Sequence, residues 1–314
     1  MQHIIAAKQF TADELNDICQ RSDYMREHSK GIIDRRTLMA RHQGLVMATI
    51  FYEPSTRTRL SFEFAAERLG IRVRSTENAA EFSSAIKGES IEDSTRVIAG
   101  YADMIIMRHK ENGAAERAAA VSDRPIINAG DGTGEHPTQS LLDIYTIQHE
   151  IGRLHDLNVV VMGDLKHGRT ARSLVQLLAL YPNNHITFVS PEDMRIGDDI
   201  KKFLKLHKTK FVETEDMYKA LARADVVYQT RIQLERHADN GKKAEKKQDL
   251  RFVIGQKALD TMKRDAIIMH PLPRVDEIEV IVDEDPRAAY FRQAENGLYT
   301  RMALLDILAE DRKK

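Results

Sequence analysis

The sequence predicts an α/β protein of two domains, each a parallel β-sheet flanked by helices. Short apolar, β-branched runs alternate with longer amphipathic segments, and this alternation occurs in two blocks. Hydroxyl, arginine and glycine residues gather just after the apolar runs, and strand ends are where open parallel sheets bind ligands.

In the first block, LVMATIF (45–51), IRVRST (71–76), MIIMR (104–108) and PIINAG (125–130) read as strands. The segments between them read as helices. TRLSFEFAAERLG closes on Gly70, a residue that ends helices because it tolerates the left-handed conformation. A helix from about Thr138 to Ile151 leads into the second block, where LNVVVMGD, HITFVS, DVVYQT and DAIIMH are the strand candidates. The last amphipathic segment, GLYTRMALLDILAED, is a helix whose apolar face must pack against something. No short-period repeat or long low-complexity tract interrupts the pattern. The lysine-rich stretch HADNGKKAEKKQD (237–249) reads either as a solvated surface loop or as a loop that closes over a site.

A chain of 314 residues, 42% hydrophobic and 30% charged, can bury the cores of two compact domains. Its 47 Lys and Arg nearly balance its 48 Asp and Glu, so no global field argues for nucleic acid and any strongly positive site must be a local concentration. The single cysteine, Cys19, excludes an intrachain disulfide or a cysteine-cluster metal site. Its helical spacing from Leu15 suits a core thiol better than a nucleophile. The N-terminus, MQHIIAAKQFTADEL, lacks the length and flanks of a signal peptide. No run approaches the roughly 20 apolar residues of a membrane span. The expectation is a cytoplasmic protein with neither a nucleic-acid nor a membrane partner.

The stretch EPSTRTRLSFE (53–63) places hydroxyls and arginines at a turn between a strand and a helix. Ser55 or Thr56 suits the N-cap. Unpaired backbone N–H groups and the helix dipole make such a turn attractive to an anion. The plainer alternative is that the hydroxyls only cap, Pro54 only fixes the turn, and Arg57 and Arg59 are solvated. Taken alone, the stretch leaves both readings open.

Three further segments have the same design. NAGDGTGEHPTQSLLD puts a glycine-rich turn after a strand and brings His136 and Gln139 to the next helix start. VVVMGDLKHGRTARSLVQLL is again strand, loop and helix, with Arg169 and Thr170 opening the helix as a second anion site. IIMHPLPR ends a strand in a proline-rigid loop that fixes the direction of the Leu272 carbonyl. GDLKHGRT (163–170) differs in one residue from the phosphate-loop pattern G-x-x-x-x-G-K-[ST]. Arginine is no conservative replacement for that lysine: its planar fork suits a carboxylate, bidentately.

FYEPSTRTRLSFE, MRH, HPTQ, GDLKHGRT, TRIQLER and HPLPRVDEI, in this order and spacing, resemble the catalytic chains of the aspartate carbamoyltransferase family over nearly the whole length. S-T-R-T alone marks only the wider carbamoyltransferase superfamily. HPLPR and T-R-x-Q add specificity for the aspartate branch, and Pro271 stands where the ornithine branch typically has a cysteine.

The resemblance implies the carbamoyltransferase fold: a carbamoyl phosphate-binding domain over 1–137, completed by the C-terminal helix at about 292–314, and an aspartate-binding domain over 150–285. It implies carbamoyl transfer from carbamoyl phosphate to the α-amino group of L-aspartate, giving N-carbamoyl-L-aspartate and phosphate in pyrimidine biosynthesis. By similarity, Ser55, Thr56, Arg57 and Thr58 hold the phosphate, and Arg108 reaches both phosphate and carbonyl oxygen. Thr58, Arg108 and His136 face the developing oxyanion. Gln139 and the Leu272 carbonyl hold the carbamoyl NH2, with Pro273 beside them.

Arg169, with Thr170, is implied at the α-carboxylate of aspartate, and Arg231 with Gln233 at its side-chain carboxylate. Alternation at a strand end would put Arg231 and Gln233 on one face. Ser83 and Lys87, in FSSAIKGES, match a loop that enters the neighbouring subunit's site, which implies a homotrimer with shared active sites and leaves room for regulatory chains or a higher assembly. Glu53, Arg169 and Arg236 match positions that bridge the domains on closure.

No metal, covalent intermediate or organic cofactor is expected. With an ordinary pKa of about 6.5 and cations around it, His136 is expected neutral, a hydrogen-bond donor rather than a general base. Glu135 departs from the family pattern, which commonly has a neutral glutamine there, and an acid at an anion site opposes binding unless it points away. A nucleotide-binding phosphate loop and a non-catalytic trimeric scaffold are the competing classes.

Overall fold

The computed structural model describes residues 2–79, 88–132, 134–231 and 252–311. It divides into two compact units, Met1–Tyr145 with Glu295–Lys314, and Thr146–Ala294.

In the first unit, β1 (Val46–Phe51), β2 (Arg72–Glu77), β3 (Met104–His109) and β4 (Ile126–Asp131) form a parallel sheet in the order β2-β1-β3-β4. Strands β3 and β4 are buried along their whole length, and β1 nearly so, which is why they read as unbroken apolar runs. Edge strand β2 exposes Arg72 and Arg74, charges that discourage pairing with another chain. Around the sheet lie α1 (Ala12–Ser29), α2 (Arg35–His42), α3 (Thr56–Arg68), α4 (Ile91–Ala99), α5 (Ala114–Val121) and the first part of α6 (Pro137–Ile151). Cys19 is buried in α1, and burial, with Asp23 nearby, pushes its thiol up to about 12, the inert core thiol its spacing predicted.

The second unit holds β5 (Asn158–Met162), β6 (His185–Val189), β7 (Lys210–Thr214), β8 (Val226–Gln229) and β9 (Ile267–Met269), all parallel, in the order β7-β6-β5-β8-β9. Its helices include α7 (Arg169–Leu178), α8 (Asp198–Leu206), α9 (Met217–Leu221), α10 (Gln256–Thr261) and the start of α11 (Tyr290–Asp311). The expected strands lie within about two residues of those observed. Strand β7 is an addition. KFVET sits at a sheet edge with Lys210 and Val212 exposed, so it lacks the apolar run that marks a central strand.

Each sheet reverses its winding once. The chain leaves β1 toward β2 on one side and returns to β3 on the other; it leaves β5 toward β6 and returns to β8. Such reversals open a crevice at the carboxyl ends of the two central strands. The segments that follow β1, β5 and β8 carry Ser55–Thr58, Arg169 and Arg231, and Arg108 lies at the end of β3.

From Glu295 onward α11 belongs to the first unit, and its buried carboxylate Asp306 ties it there. His42 Nε2 lies 2.6 Å from Asp306 Oδ1, and Arg21 bonds the other oxygen. Burial pushes the Asp306 carboxyl up, but the hydrogen bonds from His42 and Arg21 outweigh it and hold the group below its ordinary value. A carboxyl held below its unfolded value adds stability that is complete above about pH 4 and is lost as pH falls through the native value. Asp306→Asn is therefore expected to lower the unfolding free energy by about 3 kcal/mol at neutral pH and to flatten its decline below about pH 4, as read from urea midpoints over that range.

Candidate active site

At the first switch point, Ser55 occupies the N-cap of α3 in extended conformation, φ −158° and ψ 94°, but its hydroxyl makes no capping bond. No acid lies in the first turn of α3. The helix start thus keeps its donors and the positive end of its dipole for another partner. Thr58 is buried at 8% exposure, whereas Thr56 and Arg57 are exposed.

The two arginines of the stretch separate cleanly. Arg59 bonds Glu63 at 3.0 Å and Glu77 at 2.9 Å, and Glu63 also accepts from Ser75 at 2.6 Å and Thr49 at 3.1 Å. Arg59 is structural. No carboxylate among the described residues pairs with Arg57.

Arg108, at the end of β3, is stitched to the same turn. Tyr52 N–H donates to the Arg108 carbonyl at 2.8 Å, and Phe51 is paired with Arg108 across the sheet. The guanidinium is buried; Nη1 donates to the Ala129 carbonyl at 3.1 Å and Nη2 lies 3.2 Å from Glu53 Oε2. Glu53, expected as a closure residue, here balances the buried Arg108 within its own unit.

After β4, Asp131 organises the glycine-rich turn: its carboxylate accepts from Gly113 N–H at 2.8 Å and from Glu135 N–H at 2.7 Å. His136 is buried immediately before Pro137, the first residue of α6, where proline's missing N–H costs nothing. The Glu135 carboxylate accepts from the Ala7 backbone N–H at 3.3 Å, so the unexpected acid is engaged by the N-terminal segment. Gln139, in the first turn of α6, donates an amide N–H to Asp143 at 2.9 Å.

In the second unit, GDLKHGRT is a strand-to-helix turn, but it is not a phosphate cradle. Four of its eight N–H groups are spent inside the protein: Gly163 on Val189 at 3.2 Å, Leu165 on Met194 at 3.1 Å, His167 on the Asp164 carboxylate at 3.0 Å, and Arg169 on the His167 carbonyl at 3.0 Å. Asp164 is wholly buried in the turn, and a fixed carboxylate there repels phosphate. The nucleotide-loop reading fails on both counts. What the turn offers is the half-buried side chains of Arg169 and Thr170 at the start of α7.

Gly163 has a φ of 111°, and a Cβ there would stand 2.2 Å from the Thr230 carbonyl oxygen. The glycine lets the ends of β5 and β8 meet, and Thr230 N–H and Oγ both donate to the Met162 carbonyl, at 2.8 and 3.0 Å. Half-buried Arg231 follows directly. Strand β8 stops at Gln229, so strand alternation does not carry to Arg231. Ser83, Lys87, Gln233, Arg236 and the 237–249 loop lie outside the described residues.

The HPLPR loop is held by residues that sequence reasoning missed. His270 Nδ1 accepts from Leu272 N–H at 2.8 Å, so Nε2 carries the proton that reaches Glu277 at 2.8 Å. The His270 backbone N–H donates to Gln293 Oε1 at 2.8 Å. Burial pushes the Glu277 carboxyl up, but the His270 bond and backbone donors bring its net shift downward. On this support Leu272 sits at a φ of 53°, a left-handed conformation uncommon for leucine, with a cis bond to Pro273. Arg274 is spent on Asp283 and Tyr290. The only sequence signal for the support was a histidine opening the loop with a glutamate seven residues on.

Two family models match in tandem: the carbamoyl-P binding domain of aspartate/ornithine carbamoyltransferase over residues 2–149, and the Asp/Orn binding domain over 155–308. The chain belongs to the aspartate/ornithine carbamoyltransferase family. It is 51% identical over 306 residues to a chloroplastic aspartate carbamoyltransferase of rice, covering 97% of this chain and 84% of the relative. The catalytic subunit of Methanocaldococcus jannaschii aspartate transcarbamoylase superposes with a TM-score of 0.90 at 44% identity, over 100% of this chain and 99% of that one. Trypanosoma cruzi aspartate transcarbamoylase, solved with carbamoyl aspartate and phosphate, gives a TM-score of 0.86 at 35% identity, over 97% and 94%.

The names of the plant relatives correct one expectation. Those from rice, pea and Arabidopsis, at 51%, 52% and 51% identity, are named chloroplastic, which overturns the expectation of a cytoplasmic protein. The cytoplasmic reading had rested on the look of the N-terminus and the lack of an apolar span, neither of which carries a compartment. No described helix is long and apolar enough to cross a membrane.

The contrast between the two arginines of α3 is testable. Arg57→Ala should leave the unfolding free energy within about 0.5 kcal/mol of the parent and abolish the rise in melting temperature that inorganic phosphate produces. Arg59→Ala should cost about 1 kcal/mol and keep the phosphate response. Thermal melts of both variants with and without phosphate decide it.

Proposed function

We infer that the chain is an aspartate carbamoyltransferase, moving the carbamoyl group of carbamoyl phosphate to the α-amino group of L-aspartate in de novo pyrimidine biosynthesis. One observation carries the reading above others: a protein alike over 97% of this chain, the T. cruzi enzyme, was solved with carbamoyl aspartate and phosphate bound. The arrangement of this chain's own cations supports it.

Phosphate sits at the start of α3, on Ser55, Thr56, Arg57 and Thr58, where donors are not spent on a cap. Arg108 extends from the phosphate to the carbonyl oxygen, with Glu53 as its countercharge. Aspartate brings two carboxylates, met by Arg169 with Thr170 and by Arg231 with Gln233. Arginine's fork suits both.

The neutral α-amine attacks the carbamoyl carbon and a C–N bond forms. The resulting oxyanion is met by Thr58, Arg108 and His136, donors fixed in place before the reaction begins. The C–O bond to phosphate then breaks, and the departing phosphate takes the proton from the new nitrogen. Gln139 and the Leu272 carbonyl hold the carbamoyl NH2 throughout, and Pro273 keeps that carbonyl in place. The residues named supply binding, orientation and charge.

Ser83 and Lys87 complete the site of a neighbouring subunit, so the active unit is a homotrimer, to which regulatory chains can add. Closure brings Glu53, Arg169 and Arg236 into play. A non-catalytic scaffold has no need of Arg57, a cation that no described carboxylate balances.

Phosphate release from carbamoyl phosphate, with L-aspartate and L-ornithine compared, tests the reaction. Release should require aspartate and fall about 10³-fold in kcat/KM in Arg57→Ala. Release with ornithine alone would overturn the branch, and none with either, from folded protein, would favour a scaffold. Shared sites predict a second result: mixing inactive Lys87→Ala and Arg57→Ala proteins under conditions of subunit exchange should restore activity, since some hybrid sites then carry neither change. No recovery despite exchange would refute the sharing.

A further inference from the structure

We propose that Asp143 fixes the sense of the Gln139 side-chain amide so that its oxygen faces the carbamoyl NH2, and that Asp143 and Gln139 together determine the preference for a carbamoyl over an isosteric acyl phosphate. The proposal rests on the functional reading above and gives a role to Asp143, a residue that reading leaves without one.

The argument begins with donor count. Gln139 and Asp143 lie one helical turn apart on α6, a spacing at which glutamine and aspartate side chains meet. The Gln139 amide nitrogen donates to Asp143 Oδ1 at 2.9 Å. An ionised carboxylate only accepts, so it holds the NH2 end of the amide and leaves Oε1 directed the other way. A carbamoyl NH2 has only donors to offer, and it needs that oxygen. Were the amide reversed, two NH2 groups would face each other.

Asp143 is wholly buried, and a buried carboxylate needs a countercharge. Arg301 of α11, also buried, is a cation on which the Asp143 charge acts. Burial draws the Arg301 guanidinium down to about 10, so it remains a cation at neutral pH. Its Nη1 donates to the Gly297 carbonyl at 3.1 Å, and its guanidinium carbon stands 5.0 Å from the centre of the Phe62 ring. Phe62 belongs to α3, the helix that opens with Ser55–Thr58. One buried cation thus touches the helix assigned to the phosphate and acts on the residue that orients Gln139.

Gly297 makes room for this arrangement. A Cβ there would lie 2.5 Å from Arg301 Nη1 and 3.1 Å from Leu142 Cδ2. Glycine inside a helix is unfavourable relative to alanine, and the packing of Arg301 accounts for it here.

Acetyl phosphate is the probe, because it keeps the phosphate and carbonyl and replaces NH2 by a methyl group that cannot donate. The parent should bind carbamoyl phosphate the more tightly of the two. In Asp143→Asn the partner amide can accept or donate, so Gln139 loses its fixed sense. The ratio of affinities should fall about tenfold or more, while affinity for inorganic phosphate, which has no group at this position, stays within about twofold. Should the single variant fail to fold, Asp143→Asn/Arg301→Gln removes both buried charges together and carries the same expectation.

A merely structural role predicts that all three ligands weaken alike, and that result overturns the proposal, as does an unchanged ratio in a folded variant. Asp143→Glu, which restores an acceptor-only partner, should recover part of the ratio. A parent that binds no carbamoyl phosphate would instead overturn the functional reading itself; a parent that prefers carbamoyl phosphate, with variants that keep the preference, would remove only the role of Asp143.

Discussion

A phosphate dianion and a dicarboxylate can be held only by cations that the protein has not already neutralised. In a chain with 47 basic and 48 acidic residues that is a severe constraint. Arg59, Arg117, Arg274, Arg287 and Arg292 are each engaged by carboxylates, and such pairs contribute little to binding anything else. The exceptions are made by position. Arg57 lies two residues from Arg59 on a helix, so it faces elsewhere and misses Glu63. Arg108 is buried at a strand end, bonded to the Ala129 carbonyl and paired with Glu53, a carboxylate whose side chain is 38% exposed and can be displaced at modest cost. Positive charge at the site is a matter of which arginines the fold keeps away from acids.

Topology decides where that charge accumulates. The reversal of winding between β1 and β3 places the Ser55–Thr58 turn beside Arg108, and the one between β5 and β8 places the Arg169 turn beside Thr230 and Arg231. The two turns are chemically unlike despite equivalent places in their sheets. The α3 turn has an uncapped start with no acid in its first turn, whereas the α7 turn spends its amides on internal partners around Asp164. The first suits an anion held by backbone and hydroxyls, the second one held by a side-chain fork.

Much of this was legible in the sequence because it follows from local rules. Strands β1, β3 and β4 are buried on both faces and declare themselves as apolar runs; β7, half exposed at an edge, does not. Serines, threonines and arginines after strands marked the turns now proposed as anion sites, and Arg in place of Lys in GDLKHGRT weakened the nucleotide reading. What stayed hidden depends on partners far apart in the chain. Nothing near Glu135 in sequence reveals Ala7 N–H as its partner, and His270, Glu277 and Gln293 meet only in the folded loop support. Compartment has no such local rule at all, and there the relatives corrected the expectation.

The C-terminal helix shows how far such distant partners reach. Its buried charges, Arg301 and Asp306, are five residues apart and so project from different sides of α11. Asp306 engages His42 and Arg21, on α2 and α1, elements that carry none of the proposed site residues. Arg301 packs on Phe62 and acts on Asp143, on α3 and α6, which carry Thr56, Arg57, Thr58 and Gln139 of those proposed for carbamoyl phosphate. Stability and substrate orientation therefore draw on separate charges of one helix. A substitution at the first should change the denaturation midpoint with little effect on ligand choice, because additivity fails mainly between groups that share a partner, and these two share none of those named.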